Sequence, residues 1–90
     1  MSYENVDLKE ATIIDVREPA EFSMGCVDGS TNIPPGQVPQ MVEEFKNMKR
    51  PLVLCCVSGN RSGQAVQFLE ANGIEDIYNG GGWDKVAMGM

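Results

Sequence analysis

Leu52-Val53-Leu54-Cys55-Cys56-Val57-Ser58-Gly59-Asn60-Arg61-Ser62 is the stretch on which the fold turns. Leu52 to Cys55 is a continuous apolar run, too short for a helix and right for a strand covered on both faces, which predicts a central parallel strand. Beyond the run, Ala65, Phe68, Leu69 and Asn72 share one stripe, with Ser62 near its start and Gly73 placed to cap its end. That spacing predicts a helix over residues 61–72. Between strand and helix, Gly59 lets the backbone curl so that successive N–H groups converge on one anion, a nest at a helix amino end.

Upstream, residues 11–16 form a β-branched run that stops at Arg17-Glu18-Pro19, where proline opens a short helix through Ala20, Glu21 and Phe22. Residues 30–33, before Pro34-Pro35, read as a brief second strand. From Pro39, a good first helical residue, Val42, Phe45 and Met48 recur at spacing three, which predicts an amphipathic helix ended by Pro51. Downstream, residues 74–78 read as another strand, residues 79–82 as a turn, and Trp83 to Val86 as the start of a last short helix. Alternating strands and helices predict one α/β domain over residues 1–90, with a mostly parallel sheet of about four to five short strands flanked by helices. Ligands of such sheets bind beyond the carboxyl ends of the strands, and Cys56 stands at such an end.

Composition narrows the chemistry. Ninety residues, 42% of them apolar, can bury one modest core. Thirteen acidic against seven basic residues give a net charge of −6, which repels phosphate backbones and anionic lipid alike, so neither nucleic acid nor membrane is expected as a partner. No apolar run is long enough to span a bilayer and the polar start lacks the features of a signal peptide, which makes a cytoplasmic location the expectation. There is no histidine, so Cys-His and Ser-His pairs and imidazole metal ligands are excluded, and no metal site is expected. Three cysteines at 26, 55 and 56, without C-x-x-C spacing, speak against a disulfide framework or a zinc site.

A thiolate on Cys56 at the entrance of the nest would be stabilised without histidine, because a helix amino end and a nearby arginine both depress a cysteine pKa. Cys55 precedes it on an extended strand, faces the opposite side and reads as a small core residue. Arg61 either contacts a bound anion or reaches back to Asp15 at the end of the neighbouring strand. The carboxylates of Asp15, Glu18 and Glu21 suit a turn and a first helical turn without any acid–base role. Gly80-Gly81-Gly82 has Lys85 where a dinucleotide fingerprint needs its last glycine, which argues against nucleotide binding. Trp83 reads as a cap on the core.

Cys56 to Ser62 resembles the active-site loop of the rhodanese family, C-x-S-G-x-R-S, and residues 13–22, Ile-Ile-Asp-Val-Arg-Glu-Pro-Ala-Glu-Phe, resemble its amino-terminal signature. Asn32-Ile33-Pro34 and Gly81-Gly82-Trp83 match further family patterns in the expected order. The resemblance implies a rhodanese-like five-stranded parallel sheet and a sulfurtransferase. In that reading Cys56 accepts sulfane sulfur as a persulfide and passes it to a thiol, cyanide or a protein. Val57, Ser58, Gly59, Asn60, Arg61 and Ser62 form the persulfide-binding loop, with Asp15 and Arg17 in support. No metal or organic cofactor is implied; the partners are a small sulfur donor, a thiol acceptor, or a protein in either role. Two departures stand out. Gly25-Cys26-Val27 replaces the usual glycine-histidine-isoleucine, which makes Cys26 a possible second thiol, and the chain is short at both ends. The rivals are a persulfide carrier or redox-responsive binding module, and a phosphatase or arsenate reductase. The latter is disfavoured because phosphatase loops read C-x5-R, whereas Cys56 to Arg61 is C-x4-R.

Overall fold

A run with no polar position belongs where both faces of a sheet are covered, and Leu52–Cys56 (β3) is buried at every residue between two neighbours. The computed structural model describes residues 5–90. In chain order the elements are β1 (Thr12–Asp15), α1 (Pro19–Ser23), β2 (Thr31–Asn32), a 3₁₀ helix (Pro35–Met41), α2 (Val42–Lys46), β3, α3 (Asn60–Ala71), β4 (Ile77–Gly82) and α4 (Trp83–Met88). The four strands of the described residues form one parallel sheet in the order β2-β1-β3-β4. β1 and β3 pair in register, Thr12 opposite Leu52 through Asp15 opposite Cys55.

The pleat of β3 sends alternate side chains to two cores. Leu52, Leu54 and Cys56 join Ile14, Phe45 and Leu69 beneath α2 and α3, whereas Val53 and Cys55 join Leu8, Ile13, Val27 and Val86 beneath α4. Cys55 and Cys56 therefore lie on opposite faces, as their adjacency on a strand requires.

Three elements differ from expectation. The Pro39 segment begins earlier, as a 3₁₀ helix from Pro35 with Pro39 inside it, and only residues 42–46 are α-helical. Pro34, Pro35 and Pro39 remove three N–H donors from that stretch, so a short tight helix replaces a regular one. On α3 the buried side is Ser62, Ala65, Val66 and Leu69, while Phe68 faces an open hollow beside Pro35, Val38 and Pro39, and Asn72 is exposed.

The largest difference is β4. It spans residues 77–82 rather than 74–78, so the glycines expected to form a turn are strand. Asn79 opposes Leu54 and Gly81 opposes Cys55, which leaves Gly80 as the extra residue of a bulge. A Cβ on Gly80 would stand 2.8 Å from both Val53 Cγ1 and Val86 Cγ2, and 3.1 Å from the Leu54 carbonyl oxygen. Glycine is there because two packed layers leave no room, and composition alone does not separate that cause from a turn.

Candidate active site

The strand order fixes where a ligand can sit. β1 leads to β2 on one side and neighbours β3 on the other. The crevice beyond the carboxyl ends of β1 and β3 is thus the topological switch point, where open α/β sheets take their ligands. β3 ends at Cys56, and Val57, Ser58 and Gly59 turn the chain into α3. Gly59 takes φ 93°, a left-handed conformation, and a Cβ there would approach Gly81 Cα to 3.2 Å.

The turn closes on sulfur. The Gly59 N–H donates to Cys56 Sγ at 3.0 Å, the Ser62 N–H at 3.5 Å, and Ser62 Oγ lies 3.3 Å away. Cys56 and Ser62 are both fully buried. The sulfur therefore occupies the floor of the nest rather than its entrance, because the strand carrying it points that side chain into the core with Leu54. Burial pushes the Cys56 thiol up, but hydrogen bonds from the Ser62 hydroxyl and from the Ser62, Gly59 and Ser58 backbone outweigh it. The net shift is downward, toward the thiolate.

The other loop residues divide. The Asn60 N–H reaches Ser58 Oγ at 3.4 Å instead of the sulfur, and the Val57 side chain is 56% exposed at the rim. Arg61 does not pair with Asp15. Its guanidinium makes a two-pronged bond to Glu21 of α1, Nη1 to Oε1 at 2.8 Å and Nη2 to Oε2 at 3.1 Å. Asp15 is occupied elsewhere: fully buried, it accepts from Arg17 Nε at 2.8 Å and Nη2 at 2.7 Å. The register explains the exchange. Arg17 follows Asp15 by two residues and folds straight back onto it, whereas Arg61, in the first turn of α3, faces α1. Arg17 also donates to the Gly25 carbonyl at 2.6 Å and stacks 4.9 Å above the Trp83 ring, locking the segment after α1 against α4. Trp83 itself packs against the second core, as expected of a cap.

Glu21 was given no role by sequence reasoning. It is the fourth residue of a capping box begun by Glu18, so the helix-start pattern accounted for it and hid its second partner. Arg61, and then the Glu18 N–H, hold its carboxyl down from the ordinary 4.5 to about 2. Asn79 was missed too. It lies in the glycine-rich stretch read as a turn, yet it continues the inward face of β4 begun by Ile77. Its amide accepts from Ser62 Oγ at 2.7 Å and from the Gly81 N–H at 3.0 Å, and donates to the Gly59 carbonyl at 3.0 Å.

The remaining thiols stand apart. Burial pushes Cys55 up to about 12, with the Asp15 charge adding to it. Cys26 is partly exposed in a hollow shared with Val27, Asp28, Ala87 and Met90, none of which belongs to the loop. Among the described residues no helix is long and apolar enough to cross a membrane.

Comparison with known proteins agrees with this arrangement. The rhodanese-like domain model matches residues 2–88. Uncharacterized protein YqhL of Bacillus subtilis is 45% identical over 86% of this chain and 61% of its own length. Thiosulfate sulfurtransferase GlpE of Shewanella oneidensis is 32% identical over 81% of this chain and 71% of its own. The chain thus spans about six to seven tenths of these relatives. A solved structure described as rhodanese with anions from E. coli superposes with a TM-score of 0.77 at 29% identity, covering 86% of this chain and 92% of that one. By family model, by relatives and by the parallel sheet that carries the cysteine loop, this chain belongs to the rhodanese-like domain family.

Proposed function

We propose that this chain is a sulfurtransferase in which Cys56 carries sulfane sulfur as a persulfide. The observation that supports it is one fully buried sulfur, its pKa shifted toward the thiolate, that accepts from the Gly59 and Ser62 N–H groups and shares a third hydrogen bond with the Ser62 hydroxyl, at the amino end of the twelve-residue α3. The thiolate attacks the outer sulfur of thiosulfate or of a persulfide. A new S–S bond forms to Cys56, and sulfite or a thiolate leaves with the electron pair of the broken bond. The terminal sulfur of the persulfide anion takes over the donors of Gly59 and Ser62, helped by the positive end of the α3 dipole. An acceptor thiolate then attacks that outer sulfur and releases Cys56 as thiolate. Charge and electrons balance in both steps, so no metal or organic cofactor enters.

A carrier loaded by a protein partner is the second reading, and Arg61 favours it. With its guanidinium committed to Glu21, the loop offers a free dianion no unpaired cation. Mass spectrometry after incubation with thiosulfate and, separately, with a low-molecular-weight persulfide tests both readings. Loading of Cys56 by either donor supports the persulfide chemistry, strong preference for the organic persulfide favours the carrier, and no added sulfur on Cys56 from either overturns it. Phosphate-ester hydrolysis faster than sulfur transfer would restore the phosphatase rival.

A further inference from the structure

Three hydrogen bonds converge on the side-chain amide of Asn79. We propose that Asn79 is a positioning residue for Cys56, acting through Gly59 and Ser62, a role that rests on the sulfur-transfer reading.

The bonds fix the amide unambiguously. Oδ1 accepts from the Gly81 N–H at 3.0 Å and from Ser62 Oγ at 2.7 Å, while Nδ2 donates to the Gly59 carbonyl at 3.0 Å. Reversing the amide would set donor against donor at Gly81 and acceptor against acceptor at Gly59. Gly59 and Ser62 are the two residues whose donors reach Cys56 Sγ. Asn79 thus grips, from the neighbouring strand, both residues that solvate the thiolate, and it touches the sulfur itself at no point in the bonding pattern.

Each grip has a physical consequence. Gly59 sits at φ 93° and ψ −3°, and holding its carbonyl fixes the peptide that follows it, so that through these two torsions the N–H of the preceding peptide is kept facing the sulfur. Ser62 lies in the first turn of α3. Asn79 draws its hydroxyl across toward β4, to 3.3 Å from Sγ. The hydroxyl has one proton and two acceptors. With Cys56 protonated, the thiol donates to Ser62 and Ser62 donates to Asn79. With Cys56 ionised, the Ser62 proton turns to the sulfur, where the bond is charge-assisted, and Oδ1 keeps the Gly81 N–H. Ionisation therefore orphans no buried acceptor. The charged groups around the loop are Arg61 and Glu21, paired with one another, and the Asp84 carboxylate in the first turn of α4, on the Val57 side.

The test titrates Cys56 by its ultraviolet thiolate absorbance in a Cys26→Ser background; Cys55, pushed up to about 12, stays silent in the working range. Asn79→Leu, of similar size but unable to bond, frees the Ser62 proton for the sulfur but releases the Gly59 carbonyl, and with it the aim of the Gly59 N–H; the second effect should dominate and raise the Cys56 midpoint by about one pH unit, the effect of one displaced hydrogen bond. It should slow persulfide loading about tenfold at pH values below the wild-type midpoint, and the loss should close as the pH is raised past the new midpoint. A purely structural role would lower the melting temperature without a defect that alkali repairs. An unchanged or lowered midpoint in a folded variant overturns the proposal. If Asn79→Leu does not fold, Asn79→Ser, smaller and uncharged, should show the same rise and overturns the proposal if it does not; failure of both to fold assigns Asn79 to the fold alone and overturns it as well. An undepressed midpoint in the Asn79 parent, with no sulfur loading, would instead bring down the sulfur-transfer reading itself.

Discussion

Single residues separate the three thiols by environment rather than by chemistry. Cys56 and Cys55 are adjacent and equally buried, yet hydrogen-bond donors surround one, while the other meets apolar side chains and the nearby Asp15 charge, so one shifts toward the thiolate and the other up to about 12. Cys56→Ser should abolish sulfur loading with little loss of melting temperature. Cys55→Ser should leave Cys56 loadable and cost about 1–3 kcal/mol in thermal or urea unfolding, because a hydroxyl without a partner enters the second core. Cys26→Ser should change neither; persulfide mapped to Cys26 in the Cys56→Ser variant would contradict the assignment. Glu21 gives a pH signature. Its folded pKa is depressed, so the stability it contributes is present above 4.5 and is lost as the pH falls toward about 2. Acid unfolding of the wild type and of Glu21→Gln should therefore converge across that window, and a constant difference through it would show that Arg61 does not hold the carboxylate.

At the scale of elements, glycines do two different jobs that one composition cannot distinguish. Gly59 is needed for conformation: an alanine at φ 93° would be strained by about 1–2 kcal/mol and would push against Gly81. Because that strain falls on the peptide whose N–H meets the sulfur, Gly59→Ala should depress loading of Cys56 by a larger factor than the unfolding free energy suggests. Gly80 is needed for space. Gly80→Ala drives a methyl between Val53 and Val86, and overpacking of this kind costs about 1–3 kcal/mol, visible in the melting temperature while the Cys56 titration stays in place. The same contrast explains what the sequence revealed. β1, β3 and α3 were legible because an apolar run, a β-branched run and a helical stripe report directly on burial. β4 was displaced because Asn79 to Gly82 lacks apolar side chains; its pairing is carried by backbone beside β3, which leaves no periodic signal. The loop's place between β3 and α3 was legible from local spacing, while the reading of Cys56 as its reactive thiol came from the resemblance. The partners of Arg61 and Ser62 were not, since Glu21 and Asn79 come from elements 40 and 17 residues away and only the strand order brings them in.

At the scale of the whole molecule, charge bears on which donor the proposed chemistry could use. The described part spans about 30 by 29 by 20 Å and the chain carries six net negative charges. At an ionic strength of about 0.1 M, fields persist for about 10 Å, so a dianion nearing the crevice meets a repulsive surface before it meets the loop. Local compensation is weak: Arg61 is neutralised by Glu21, Arg17 by Asp15, and the Asp84 carboxylate flanks the loop, since Asp84 Oδ1 and the Val57 carbonyl both lie within 3 Å of the point where a Gly82 Cβ would be. The backbone donors of Gly59 and Ser62 remain, but they are short-ranged and act only on a sulfur already in place. Attack on thiosulfate should accordingly be slow at low salt and should speed up as salt is added, because screening removes repulsion between like charges. A donor with an uncharged organic body should load Cys56 faster at low salt and respond less. The measurement is the second-order rate of Cys56 persulfide formation between about 0.01 and 1 M ionic strength, where the screening length falls from about 30 to about 3 Å. A thiosulfate rate that falls with salt, or saturation at micromolar thiosulfate, would mean that a cation in the crevice escapes its carboxylate partner and governs the encounter, and Glu21→Gln, which frees Arg61, would then no longer raise that rate.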